Sequence, residues 1–127
     1  MTGVTLDTGA LVAADRNDRS MWALVGEWGA RGTDVIVPAG CLAQAWRNGS
    51  RQALLARLLS ACYLDDLTGP TAREVGVLLA ASKTADVIDA HVVVCAVRRG
   101  DIVVTSDPDD ITALIAHTPR RIAVHLV

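Results

Sequence analysis

Acidic residues occupy the positions in this sequence where chemistry could be done. Asp7 ends the short run Gly3-Val-Thr-Leu, and Asp107 stands two residues beyond Thr105 after the run Ile-Val-Val-Thr. Asp86 and Asp89 lie three apart, and Asp110 repeats that spacing from Asp107. On a helix this separation puts two side chains on one face. Carboxylates brought together repel and raise one another's pKa unless a cation or donors lie between them. Hard oxygen ligands completed by water are what Mg²⁺ and Mn²⁺ take, and such ions acidify water and clamp a displacement at phosphorus. The pattern therefore points to metal-assisted phosphodiester hydrolysis. Each acid also has a purely structural reading. Asp107-Pro108-Asp109-Asp110 has the form of a helix start, with an N-cap Asp, Pro at the first helical position and acids in the first turn, and Asp86 can cap its own helix. Asp7 has less structural reason to be acidic, because Thr8 can cap the helix that follows.

These acids need a scaffold that brings distant segments to one place. Gly3–Asp7 reads as a strand, and Thr8–Ala14 as a helix. Trp22, Leu24, Val25 and Trp28 give a second helix that stops near Gly29 to Gly32, and Asp34–Pro38 gives a second strand. Helical spacing returns in Leu42, Ala43, Ala45 and Trp46, breaks at Gly49-Ser50, and resumes from Leu54 to Cys62. Tyr63–Leu67 is a third strand, Pro70 opens a helix through Leu79, and another helix runs from about Val87 to Arg98. Asp101–Thr105 is a continuous β-branched run of the kind buried on both faces of a parallel sheet. A helix through Ile111, Leu114 and Ile115 and a last strand, Arg121–Val127, complete the chain. Strands alternating with helices mean a parallel α/β sheet, and ligands of such sheets bind at the carboxyl ends of the strands. If the first and fourth strands are neighbours, Asp7 and Asp107 face one crevice.

Composition narrows the alternatives. The chain has 127 residues, 51 % of them hydrophobic and none of them Phe, so one domain over residues 1–127 with its own core is expected. Its apolar stretches are too short to span a bilayer, and the N-terminus lacks the basic start and apolar core of a secretory signal, so the expected compartment is the cytoplasm, with no membrane partner. Cys41, Cys62 and Cys95 show no CxxC spacing and read as small buried hydrophobes in a reducing compartment. A formal charge of −2 argues against coating nucleic acid by bulk electrostatics, but it leaves room for a nuclease whose metal-binding acids cancel basic residues elsewhere.

The sequence resembles the PIN-domain ribonucleases, and more narrowly the VapC-type toxins of bacterial VapBC toxin–antitoxin pairs. Its anchors are Leu6-Asp7-Thr8-Gly9-Ala10-Leu11, Val37-Pro38 leading to Trp46-Arg47, Ile88-Asp89-Ala90, and Val104-Thr105-Ser106-Asp107-Pro108-Asp109-Asp110. Their order and spacing cover nearly the whole chain. The resemblance implies a three-layer α/β/α sandwich around a central parallel sheet and an acidic pocket that binds Mg²⁺ or Mn²⁺. It implies endonucleolytic cleavage of structured RNA, such as transfer or ribosomal RNA, by a metal-activated water. Carried over by position, Asp7, Asp89 and Asp107 are the metal-site acids, Asp110 is an additional catalytic acid, and Thr8 and Thr105 are supports. It also implies a VapB-type antitoxin partner and a homodimer.

One position departs from the family. Where a Glu is usual on the helix after the second strand, this chain has Gln44. An amide can coordinate or hold a water through its oxygen, but it brings no charge and cannot act as a base. Weaker metal affinity is therefore expected, with Asp86 as a substitute ligand. Arg47, Arg51, Arg98 and Arg99 are candidate phosphate contacts, which solvated helix faces explain equally well. His91, His117 and His125 lack metal-ligand spacing, and Trp22 and Trp28 read as core or interface anchors. The competing reading is a binding module that has lost catalysis and acts by complex formation with an antitoxin. A phospho-receiver domain would want a Lys after a late strand, whereas Lys83, the only lysine, precedes a helix. A dinucleotide-binding domain would need a GxGxxG after the first strand.

Overall fold

The computed structural model describes residues 2–127. The chain runs β1 (Val4–Leu6), α1 (Thr8–Asp15), α2 (Arg19–Arg31), β2 (Val35–Pro38), α3 (Ala39–Ala45), α4 (Ala53–Leu59), β3 (Tyr63–Asp65), α5 (Gly69–Ser82), α6 (Val87–Arg99), β4 (Ile102–Thr105), α7 (Pro108–Ile115) and β5 (Val124–Leu126). A 3₁₀ turn, Gly49–Arg51, joins α3 to α4. All strand pairings are parallel, in the order β3-β2-β1-β4-β5. One helical layer is built by α1 with α2, α3 and α4, and the other by α6 with α5 and α7. The expected α/β/α sandwich with a central parallel sheet is thus the fold observed.

The central strands explain themselves. Val4–Leu6 and Val35–Pro38 are buried throughout, and Val103, Val104 and Thr105 of β4 are buried as well. A strand covered on both faces has no polar side, so it reads as an unbroken β-branched run. The edge strands β3 and β5 are partly exposed and shorter than the expected Tyr63–Leu67 and Arg121–Val127, because each has a pairing partner on one side only. The core between the layers is aliphatic, with Leu6, Leu11, Met21, Ile36, Leu55, Leu58, Val92, Val93, Val103 and Ile111 almost wholly enclosed. Each such side chain contributes roughly 1.5–3 kcal/mol through burial.

Helix α3 stops at Ala45, one residue earlier than expected, because Trp46 is extended at ψ 132°. Gln52 makes that break. Its Oε1 accepts from the N–H groups of Arg47 (2.7 Å) and Asn48 (2.9 Å), and its Nε2 donates to the Ala45 carbonyl at 2.9 Å. The buried amide thus satisfies backbone groups that the ended helix leaves open. Gly49 lies flat against the Trp46 ring, where a Cβ would come within 2.6 Å of Cζ2.

The chain goes outward from β1 to β2 and β3, then returns across the sheet to β4 and β5. The strand order therefore reverses between β1 and β4, which Val4↔Ile102 and Leu6↔Val104 hold in register. Crevices at such a switch point open at the carboxyl ends of the strands. Asp7 and Asp107 follow those two ends.

Candidate active site

The site is built outward from the end of β1. Asp7 caps α1, its Oδ1 accepting from the Ala10 N–H at 2.9 Å. This corrects the expectation that Thr8 would do so. Thr8 is the first residue inside the helix, and its hydroxyl donates to Gln44 Oε1 on α3 at 2.5 Å. The second oxygen of Asp7 accepts a short hydrogen bond from Thr105 Oγ1. The same Thr105 oxygen accepts from the Asp107 N–H at 2.9 Å. One buried hydroxyl therefore joins the two strand ends.

Asp107 is also corrected. It occupies the N-cap position of α7, yet its side chain makes no cap hydrogen bond and faces Asp110 instead. Asp86 does cap α6, accepting from the Asp89 N–H at 3.0 Å. Asp89, in the first turn of α6, is half-buried among the others. Its carboxyl is pushed up to about 6, first by burial and then by the negative charges of Asp86, Asp7, Asp110 and Asp107. Burial also raises Asp7, against hydrogen bonds from Thr105, Ala10 and Gly9 that pull it down. Asp110 is raised by a hydrogen bond and repulsion from Asp107. The structure thus brings Asp7, Asp86, Asp89, Asp107 and Asp110 into one electrostatic neighbourhood, and none of them is in an ion pair among the described residues.

Among the described residues no three His, Cys, Asp or Glu side chains close around one point as a finished metal cage. The donor set nevertheless suits a hard divalent cation: carboxylate oxygens in mutual repulsion, with the Gln44 amide at the rim. Arg47 does not join them. It turns back on its own helix, donating through Nη1 to the carbonyls of Ala43 (3.1 Å) and Trp46 (2.7 Å). Arg51 sits in the 3₁₀ turn and pairs with none of the acids.

Several residues of the site take roles that their sequence reading did not assign. At Gly9 a Cβ would stand 1.8 Å from Ser106 Oγ and 2.7 Å from its Cβ, so glycine is what lets α1 approach the β4–α7 loop. Cys41 is buried beside the acids, and burial with the charges of Asp7 and Asp89 pushes its thiol up to about 12. His91 is enclosed and pairs through Nε2 with Asp65 Oδ2 at 2.8 Å, tying α6 to the end of β3. The Gly9 sequence signal was present, a glycine directly after the strand-end acid and its threonine. The His91–Asp65 pair had none, being 26 residues apart.

The all-parallel five-stranded sheet between helical layers, with acids near the β1/β4 switch point, shares its fold with two solved complexes. The chain is similar to VapBC2 from Rickettsia felis, solved bound to a DNA fragment from their promoter, with TM-score 0.71, 14 % identity and 98 % of each chain covered. It is also similar to FitAB bound to the IR36 DNA fragment, with TM-score 0.67, 15 % identity, and 97 % of this chain and 94 % of that one covered. At these identities the likeness is one of fold. No family model matches the sequence, and no curated protein does.

Proposed function

We propose that this protein is a VapC-type toxin: an Mg²⁺- or Mn²⁺-dependent endoribonuclease of a type II toxin–antitoxin pair that hydrolyses a phosphodiester of structured RNA, transfer or ribosomal. The observation that carries the reading is the link Asp7–Thr105–Asp107 across the switch point, with Asp89 raised by the negative charges around it. On this reading Asp7, Asp89 and Asp107 hold the cation, and Asp110 is the additional catalytic acid. When bound, the ion supplies Lewis acidity toward the scissile phosphate and makes water acidic enough to attack near neutral pH.

The chain's own residues hold the rest of the chemistry. Thr105 and the Ala10 N–H fix both oxygens of Asp7, so its orientation is set before any ligand arrives. A hydrogen bond and repulsion from Asp107 raise the Asp110 carboxyl, which suits Asp110 to proton transfer at the acids. Side-chain nucleophiles are poorly placed: the Thr8 and Thr105 hydroxyls are committed to Gln44 and Asp7, and the Cys41 thiol stays protonated. Water is left as the attacking group.

A single domain over residues 1–127, a cytoplasmic location, a VapB-type antitoxin and a homodimer belong to the same proposal. The partner is suggested by the fold neighbours VapBC2 and FitAB; among the described residues no helix is long and apolar enough to cross a membrane. The second reading, a catalytically weakened module that works through antitoxin binding, is favoured by Gln44, whose oxygen is spent on Thr8 and which adds no charge. The deciding experiment is cleavage of total transfer and ribosomal RNA with Mg²⁺ or Mn²⁺ by the parent protein and by Asp7→Asn. Cleavage by the parent alone supports the nuclease. Equal cleavage by both, or none by the pure parent, overturns it.

A further inference from the structure

On its α5/α7 side the acidic site opens into a cleft that the cation chemistry does not use. The cavity is about 290 Å³, and Asp86, Asp89 and Asp110 form one end of it. Away from them the lining holds no carboxylate: it consists of Ser82, Thr84, Ala85, Ala113, Leu114 and His117. Ser82 Oγ and Thr84 Oγ1 are hydrogen-bonded to each other at 2.8 Å across Lys83, which is exposed, in the left-handed region at φ 56° and without an ion-pair partner among the described residues. Lys83 is the only lysine of the chain. His117 is exposed and stands where this cleft meets a second hollow of about 330 Å³ between α5 and the segment after α7. That hollow contains Arg98, which is paired with Glu74 at 3.0 Å.

The groups that line the cleft suit a nucleotide. A chain with its reacting phosphate at the acids must place the next unit in a neighbour free of negative charge, since its own backbone is anionic. The Ser82 and Thr84 hydroxyls of the lining suit a sugar, and Lys83, which borders the cleft between them in sequence, suits a phosphate. A small apolar floor ending on an imidazole suits an unstacked base, because single-stranded RNA is commonly read by stacking on aromatic or His rings. No Trp or Tyr lines either hollow, so His117 is the ring available.

We propose that the α5/α7 cleft is a nucleotide subsite, holding an unpaired base next to the scissile phosphate against His117, with Ser82, Lys83 and Thr84 on its sugar-phosphate. It rests on the nuclease reading and adds to it the single-stranded character of the RNA at the cut. His117 is a specificity residue here, touching the substrate away from the bond that breaks.

The test measures binding and cleavage separately. Fluorescein-labelled transfer RNA and a mixed-sequence eight-nucleotide RNA are titrated by anisotropy into the Asp7→Asn protein, so that binding is read without turnover. Adding His117→Ala should weaken binding of the eight-mer about tenfold, the loss expected of a stacked base, while His117→Phe, which keeps a ring, stays close to the parent. Adding Lys83→Ala should lower the slope of log affinity against log salt by about one. In the otherwise unaltered enzyme, His117→Ala should raise KM and leave kcat nearly unchanged. His117 is exposed, so an unchanged melting temperature is expected alongside. The subsite is overturned if the parent cleaves RNA and His117→Ala binds and cleaves as the parent does, or if His117→Phe is as impaired as His117→Ala. A parent that neither binds nor cleaves RNA overturns the nuclease reading and this subsite with it.

Discussion

Thr105 does two jobs with one oxygen, donating to Asp7 and accepting from the Asp107 N–H. Thr105→Val keeps the shape and removes both bonds, so a buried carboxylate and an amide lose their partner. A destabilisation of about 1–3 kcal/mol by denaturant unfolding is expected, together with a larger loss of RNA cleavage than Thr105→Ser shows. Asp89 makes a pH prediction whose sign is fixed. Its folded pKa, about 6, lies above the ordinary aspartate value of 3.8. Its contribution to stability is therefore fully present below about pH 4 and is lost as pH rises through 6. Without divalent ions the parent protein should melt at a higher temperature at pH 5 than at pH 7, and Asp89→Asn should show a smaller difference. Mg²⁺ affinity measured calorimetrically should fall as pH drops below 6, because protons compete for the same oxygens. Gln44→Glu should bind Mg²⁺ more tightly in the same titration; unchanged or weaker binding counts against the view that the amide limits affinity. At this scale the sequence's reason for singling out Asp7 failed, since Asp7 itself caps α1. The sequence was not legible for the division of labour between Asp7 and Thr8, or between Asp86 and Asp107, because cap and free carboxylate look alike until the backbone turns are known.

Elements place these residues by close approach. Gly9 permits the start of α1 to lie on Ser106 of the β4–α7 loop. Gly9→Ala should push the two apart, lowering stability by about 1–3 kcal/mol in denaturant melts and cleavage by more than that loss of fold accounts for. The central strands β1, β2 and β4 could be read directly, since burial on both faces leaves a continuous apolar run. The edges of the sheet could not be bounded so well, because half-exposed residues such as Tyr63 and Leu64 carry no period that separates a paired strand from the loop beyond it. The end of α3 escaped sequence reading for another reason: it is set by Gln52, seven residues further on, which caps the break with its side chain.

At the scale of the molecule, the formal charge of −2 conceals an uneven distribution. The acids at the switch point lack basic partners, while the opposite-edge hollow of about 760 Å³ is lined by Ala39, Leu42, Trp46, Tyr63, Leu64 and other uncharged residues. Tyr63 and Leu64 on the unpaired side of β3 are 62 % and 54 % exposed. A hollow lined without charge beside the unpaired side of β3 suits a two-fold contact between copies, which the proposed homodimer would use. Light scattering at micromolar concentration should report a dimer for the parent and a monomer for Leu64→Lys, with circular dichroism unchanged. A dimer that survives Leu64→Lys puts the contact elsewhere.

The position of β1 in the middle of the sheet also governs when the site comes into being. β1 is the first strand made, yet one of its two neighbours, β4, begins 98 residues after Val4, at Ile102. Contacts so distant along the chain form late, because a long loop must close before they are rewarded. On the ribosome, Asp7 emerges early but cannot meet Asp107 until almost the whole polypeptide has been released from the exit tunnel. Chains that stop before β4 therefore carry Asp7, Asp86 and Asp89 without Asp107 and Asp110, and the acidic crevice assembles only once β4 and α7 have emerged.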